Sequence, residues 1–430
     1  MTLTPLRSTA SRWPELGVVP SGPRAAVSAR IAERLFRAAV NRLDVTVHVG
    51  DEVLGLGGPA ATIHRPAEFY ARIGRHALIG FGEAYLTGAW DTERPADLAP
   101  FLTVLAAELP ELVPQPLQRL RALAVKRPPR RHRSSQRNSR DNIAHHYDLS
   151  NDLFEVFLDR TLSYSSALFD TDVVDLGDHL RAAAPRDRAE SLESAQARKI
   201  ERLLDQAGVR EGTRVLEIGT GWGELALRAA RRGASVHTVT LSSEQKALAD
   251  WRIASAGLAD RVEVELCDYR DVTGSYDAVV SVEMIEAVGW QYWTTYFQTL
   301  DRLLAPGGRV AIQAITMRHD RMLATRNTYT WINKYIFPGG FLPSVEAIER
   351  TARQHTGLRV TGRLSMGTHY AETLRRWDEA FRSASERVGE LGFDETFRRM
   401  WHFYLDYSRA GFASGYIDVN QITLTRPADA

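Results

Sequence analysis

Apolar and polar positions change their rhythm part-way along the chain. Between Asp44 and His64 short alternating runs flank a turn carrying Gly55, Gly57 and Gly58, which predicts a group of short strands. Pro66–His76 and Pro95–Leu112 instead place apolar residues at helical spacing. Together these predict a small α+β unit of about a hundred residues, a usual domain size. Further on, strands are predicted at Arg214–Ile218, Ser235–Leu241, Val262–Leu266, Tyr276–Val282 and Arg309–Met317. Helices are predicted between them at Trp222–Arg231, Ser243–Ala256 and Trp290–Leu304. Such alternation implies an α/β, Rossmann-like domain with a mostly parallel sheet covered on both faces. Right-handed crossovers then gather the loops after each strand along one ligand-binding edge. Tyr416–Thr425 also alternates, and is expected to complete the sheet as an antiparallel edge.

A change in charge marks the boundary between the two patterns. From Arg121 to Arg140 there are eight Lys or Arg residues and no acid, with Pro128 and Pro129 in the middle. We therefore expect an N-terminal domain over 1–120, a basic linker over 121–141 and a second domain over 142–430. A chain of 430 residues suits two domains. The net charge of +1 gives no global pull toward nucleic acid, and no basic face interleaved with aromatics appears. Cys267 is the only cysteine, which excludes an internal disulfide and a multi-cysteine metal site and fits a reducing cytoplasm. No apolar run reaches the ~18 residues of a membrane span, and Met1–Gly17 lacks the apolar core of a secretory signal. A cytoplasmic protein is expected.

The sharpest motif is Val215-Leu216-Glu217-Ile218-Gly219-Thr220-Gly221-Trp222-Gly223. A strand ends, glycines alternate through a turn, and a helix begins. Glycine permits the turn and lets backbone approach a ligand closely. The pyrophosphate spacing of dinucleotide sites is absent, and Glu217 is placed to orient the loop or to meet an ammonium group. Both point to S-adenosylmethionine. After the next strand, Thr240, Leu241, Ser242 and Gln245 offer polar groups where a ribose would lie, although Ser242 or Ser243 equally suits a helix cap. Asp268 and Tyr269 follow the third strand at the adenine position. The fourth strand leads into Glu283-Met284-Ile285-Glu286.

These residues, with others, resemble the cyclopropane-fatty-acyl-phospholipid synthase family, which includes the mycolic acid cyclopropane synthases. His146-Tyr147-Asp148-Leu149-Ser150-Asn151, Ser163-Tyr164-Ser165-Ser166-Ala167-Leu168-Phe169 and Trp331-Ile332-Asn333-Lys334-Tyr335 carry the resemblance beyond the glycine motif. Gly80-Phe81-Gly82-Glu83-Ala84-Tyr85 is similar to a motif of the family's lipid-binding N-terminal domain. Glu217–Glu224, Val282–Ala287 and Ile312–Met317 resemble the actinobacterial branch that makes the 10-methylene precursor of tuberculostearic acid. The resemblance implies a class I S-adenosylmethionine-dependent methyltransferase domain behind a smaller α+β lipid-binding domain. It implies that Tyr164, Ser165, Gly219, Gly221, Gly223, Thr240, Leu241, Ser242, Gln245, Tyr269 and Arg270 touch the methyl donor. It also implies a bicarbonate ion as general base, ringed by Ser166, Glu286, Gln313, Ile315 and Tyr370 with Tyr147 nearby. Ser166 stands where most of the family has cysteine, and Gln313 where it has histidine.

The chemistry asks little activation of the acceptor. An alkene attacks a sulfonium methyl without prior deprotonation, so alignment matters more than an activating base. The resulting cation suits an aromatic pocket, for which Tyr147, Tyr164, Trp290, Tyr292 and Tyr370 are candidates, with core packing the alternative for each. A proton must then leave, and Glu286 is expected to hold or replace the base, which Tyr370 would orient. Ring closure gives a cyclopropane; a hydride shift first gives an exocyclic methylene. The adjacent His145 and His146 lack the spacing of a zinc site, so no metal is expected. The expected substrate is an unsaturated, oleoyl-type phospholipid at the membrane surface, with the basic linker or Ile336, Phe337, Phe341 and Leu342 in contact. A methylene product would need a separate reductase, and a homodimer is compatible with everything above. The rival readings are a cyclopropane synthase, a heteroatom methyltransferase and a non-catalytic protein that binds donor and lipid.

Overall fold

The computed structural model describes residues 13–112, 150–187 and 189–427, so Tyr147, the histidine pair and the basic linker lie outside the described residues. The chain divides into two compact units. Their boundary departs from the expected one. The first unit takes not only the N-terminal stretch to Lys126 but also Tyr329–Ile336 and Trp377–Gly415. The long apolar helix Glu395–Ala413, which buries Phe397, Trp401 and Phe403, supplies a core that the N-terminal stretch alone is too short to build.

Within this unit the short strands form a four-stranded sheet in the order Glu52–Leu54, Thr46–Val49, Ala60–Ile63, Trp90–Asp91. The helix Pro66–His76 matches its expected bounds, and Leu78–Leu86 follows almost at once. The glycine motif there has a packing reason: a Cβ at Gly80 would lie 2.0 Å from the Arg72 carbonyl oxygen, so the two helices touch backbone to backbone. Glu83 is buried and accepts from Lys334 Nζ at 2.7 Å and from the Tyr335 hydroxyl at 3.1 Å. Burial alone would push its carboxyl up; His76 and Lys334 outweigh that and hold it down at about 2. Among the described residues no helix is long and apolar enough to cross a membrane.

The second unit is built on a nine-stranded sheet. Arg214–Ile218 lies between Ser235–Thr240 and Tyr276–Val282, all parallel, with Val262–Leu266 and Leu304–Met317 outside them in parallel too. The strand order thus reverses beside Arg214–Ile218, the switch point where an α/β sheet leaves a crevice. Alternation along each strand feeds two cores. Leu216, Val279 and Ile312 pack on one face, and Val215, Val280 and Ala311 on the other. The last strand, Ile417–Thr425, is antiparallel as expected but is not an edge. Arg359–Ser365 pairs with its far side, and Leu180–Ala182 and Val173–Asp175 continue the sheet. These strands are short or only half-buried, so their apolar alternation is weak.

Candidate active site

A cavity opens at the switch point, and its floor is the glycine turn. Gly219, Gly221 and Gly223 have φ of +97°, +51° and +89°. The Gly219 and Thr220 N–H groups both donate to the Val239 carbonyl, at 3.0 and 3.2 Å, which pins the turn to the neighbouring strand. Gly223 caps the helix Glu224–Arg231 in a left-handed conformation. Of the residues expected at the donor, Tyr164, Ser165, Glu217, Gly219, Gly221, Thr240, Leu241, Gln245 and Tyr269 line this cavity. The other four act a step behind it. Besides the cap at Gly223, Ser242 accepts the Gln245 N–H at 3.2 Å and so is a helix cap, and Asp268 is clasped by Arg270 at 2.6 Å.

Each lining group is held from behind. Tyr164 and Trp222 both pack on Phe154, with ring centroids 5.2 and 5.0 Å away, and Trp222 Nε1 donates to Asn151 at 2.9 Å. Ser165 is fixed by two side chains of the helix Leu192–Gln206: Lys199 Nζ donates to its Oγ at 2.6 Å, and Gln196 Nε2 to its carbonyl at 2.8 Å. Sequence reasoning missed this buried lysine; its signal was a lone ammonium among the apolar positions of an amphipathic helix. Burial lowers the Lys199 pKa to about 8, against the opposing pull of Glu283 and other carboxylates. Burial likewise pushes Glu217 up to about 8, although it accepts from the Thr238 hydroxyl at 2.6 Å and faces the Lys199 charge.

At one side of the cavity stands a pair of carboxylates. Glu283 lines it, and has φ +52°, a left-handed conformation uncommon for any residue but glycine. Its Oε1 accepts from the Ser166 N–H at 2.9 Å and from Gln313 Nε2 at 2.8 Å; its Oε2 accepts from the Tyr370 hydroxyl at 2.7 Å. Tyr370, expected to orient the base, holds Glu283. It stands on the helix Gly367–Ser383, whose His369 and Thr373 bind the Phe169 and Ala167 N–H groups at 3.0 and 3.1 Å. Glu286 sits one turn on, with Oε1 accepting the Ile315 N–H. Its Oε2 is buried without a hydrogen-bond partner among the described residues. Trp290 and Tyr292 pack against the core and do not line the cavity. Glu283 was missed because Glu286 is equally acidic and three residues away; only the fold tells them apart.

A parallel sheet with a glycine turn at its switch point, and a cavity there lined by an acid, hydroxyls and a tyrosine ring, define an S-adenosylmethionine-dependent methyltransferase. A profile of the mycolic acid cyclopropane synthetase family matches residues 134–422, and the chain belongs to that family. The chain is 54% identical over 419 residues to the tuberculostearic acid methyltransferase UfaA1 of Mycobacterium tuberculosis, covering 96% of this chain and 95% of that one. It is 32% identical over 386 residues to the cyclopropane-fatty-acyl-phospholipid synthase of Escherichia coli, covering 88% and 93%. The structure of the cyclopropane synthase MmaA2 from Mycobacterium tuberculosis matches with a TM-score of 0.58 at 31% identity, over 66% of this chain and 97% of that one. Cyclopropane synthase CmaA1, complexed with SAH and CTAB, matches equally at 30% identity and TM-score 0.58, over the same 66% and 97%.

Proposed function

We propose that this methyltransferase adds the sulfonium methyl of S-adenosylmethionine to the double bond of an oleoyl-type acyl chain in a phospholipid. The product is a 10-methylene acyl chain, the precursor of tuberculostearic acid. The 54% identity to a tuberculostearic acid methyltransferase across nearly the whole of both chains carries this reading. Bound in the cavity, the donor supplies an electrophilic methyl. Glu217 and the glycine turn receive its amino acid end, Thr240, Leu241 and Gln245 its ribose, and Tyr269 its adenine. Tyr164 and Ser165, which line the same cavity, would also touch the donor. Glu286, Gln313, Ser166 and Tyr370, with Tyr147 outside the described residues, shape the place where a proton is lost. The protein acts in the cytoplasm, peripherally at a membrane surface, and a separate reductase saturates the methylene. A second reading is cyclopropane formation, favoured by the 32% identity to a cyclopropane synthase; it shares every step up to the carbocation.

Incubation of the protein and S-adenosylmethionine with oleoyl- and with stearoyl-phospholipid vesicles tests this. Mass spectrometry is expected to find one added CH2 on the oleoyl chains alone. Unchanged oleoyl chains, with donor binding intact by calorimetry, would turn the reading toward a headgroup or a non-lipid acceptor.

A further inference from the structure

Ser166, Gln313 and Tyr370 were expected around an external bicarbonate ion. In the structure each of the three donates a hydrogen bond to Glu283. Gln313 is itself oriented for this, because Gln421 Nε2 donates to its Oε1 at 3.1 Å, while its own Nε2 donates to Glu283 and to the Ser166 carbonyl at 3.2 Å. The Ser166 hydroxyl turns away to the Ala167 carbonyl at 3.0 Å, so only its backbone serves. These residues do not fit a separate anion. The donors such an ion needs are engaged by a carboxylate of the chain, and the Glu283 charge would repel it.

We infer that Glu283 is the catalytic base, taking on its Oε2 the proton that leaves the methylated acyl chain, in place of a dissolved anion. The inference rests on the acyl-chain reading above and deepens it. Position favours Glu283: it lines the donor cavity, and Glu286 does not. Its left-handed backbone is a strain of the kind retained at functional sites. The pair is also asymmetric. Two neighbouring carboxylates do not both ionise readily. Burial raises the Glu283 carboxyl, but three donors and the Lys199 charge work against that rise, whereas Glu286 has only backbone N–H groups to do so. Burial and the Glu283 charge push Glu286 up to about 8, so it stays protonated at neutral pH.

The electrons balance without an oxidant or reductant. The π pair of the double bond forms the new C–C bond to the methyl, and the S–CH3 pair leaves with sulfur. A hydride moves from the methyl-bearing carbon to the adjacent cation, which transfers the charge to the methyl-bearing carbon. One C–H bond of the methyl then breaks, its pair closing the exocyclic C=C and its proton passing to Glu283 Oε2. That oxygen has one donor, Tyr370, against two on Oε1, so a lone pair remains for the proton.

Five measurements test the assignment. Glu283→Gln keeps the volume but not the basicity, and product formation is expected to fall ~10²–10⁴-fold, the usual worth of a general base, with donor binding retained. Glu286→Gln resembles the protonated acid and is expected to lose about tenfold or less. Glu283→Gly relieves the backbone and vacates the donors; in CO2-free buffer it is inactive and regains about tenfold or more with added bicarbonate. The wild-type rate does not respond to bicarbonate. A wild-type rate that rises with bicarbonate, or an active Glu283→Gln beside an inactive Glu286→Gln, would overturn the assignment. Infrared difference spectra at neutral pH decide the charges without turnover. The protonated-carboxyl band assigned to the pair should vanish in Glu286→Gln and persist in Glu283→Gln; the reverse contradicts the inference. A wild-type protein that methylates no oleoyl chain would count against the acyl-chain reading separately, because the spectra still report on Glu283.

Discussion

Gly219→Val is expected to weaken S-adenosylmethionine binding severely while leaving the secondary structure intact. The residue has φ +97°, where a β-branched side chain is an outlier and strain of ~1–3 kcal/mol is usual. A Cβ there would also lie 2.8 Å from Met284 Cγ, and Met284 lines the cavity next to Glu283. The methionine has flexible torsions and yields, but in yielding it moves into the donor's space. The turn cannot relax away, because the Gly219 and Thr220 N–H groups are both tied to Val239. Strain and lost space together are expected to weaken donor affinity at least ~100-fold, about 2.7 kcal/mol. Gly219→Ala should lose less, since it presents one methyl. Calorimetry with circular dichroism as the fold control checks this, and a Gly219→Val affinity within a fewfold of native would contradict the cavity assignment.

Asp378→Ala is expected to destabilise the first unit by ~1–3 kcal/mol, the cost of leaving a buried hydrogen-bonding group without its partner. Asp378 accepts from Arg382 Nε at 2.7 Å and lies 2.5 Å from His402 Nδ1, and its side chain is only 2% exposed. Beside them Asp406 is fully buried, accepts the Ala99 N–H at 3.2 Å, and is pushed up to about 7 by burial and then by the Asp378 charge. Alanine at 378 leaves the buried His402 Nδ1 without this partner and Arg382 Nε without its acceptor. Asp378→Asn preserves the shape and should lose less. Urea unfolding followed by tryptophan fluorescence measures the difference. A change of about 0.5 kcal/mol, the range of surface substitutions, would show that the cluster contributes no such stabilisation.

How far the sequence foretold this architecture depends on how local each signal is. Arg214–Ile218, Val262–Leu266 and Tyr276–Val282 appear with their expected bounds, because each carries a local pattern: mostly buried residues in the first and third, apolar–acidic alternation in the second. The glycine turn was readable for the same reason: its constraint lies within five residues. Arg359–Ser365 was not, since its half-buried residues carry polar side chains and its place comes from pairing with Ile417–Thr425. The make-up of the first unit was hidden as well, because Tyr329–Ile336 and Trp377–Gly415 join it across hundreds of residues. In the site, Glu286 drew the eye by its position after the fourth strand. The hydrogen bonds that single out Glu283 come from Ser166, Gln313 and Tyr370, which are 117, 30 and 87 positions away. No periodicity links them.

The central claim is that this enzyme turns an acyl double bond into an exocyclic methylene. Its most direct test is the carbon NMR spectrum of the lipid product made with S-adenosylmethionine labelled with 13C in the methyl group. The expected result is a labelled carbon in the vinylidene region, on a chain one carbon heavier than oleate. Label in the high-field cyclopropyl region, or on a headgroup nitrogen, would contradict it.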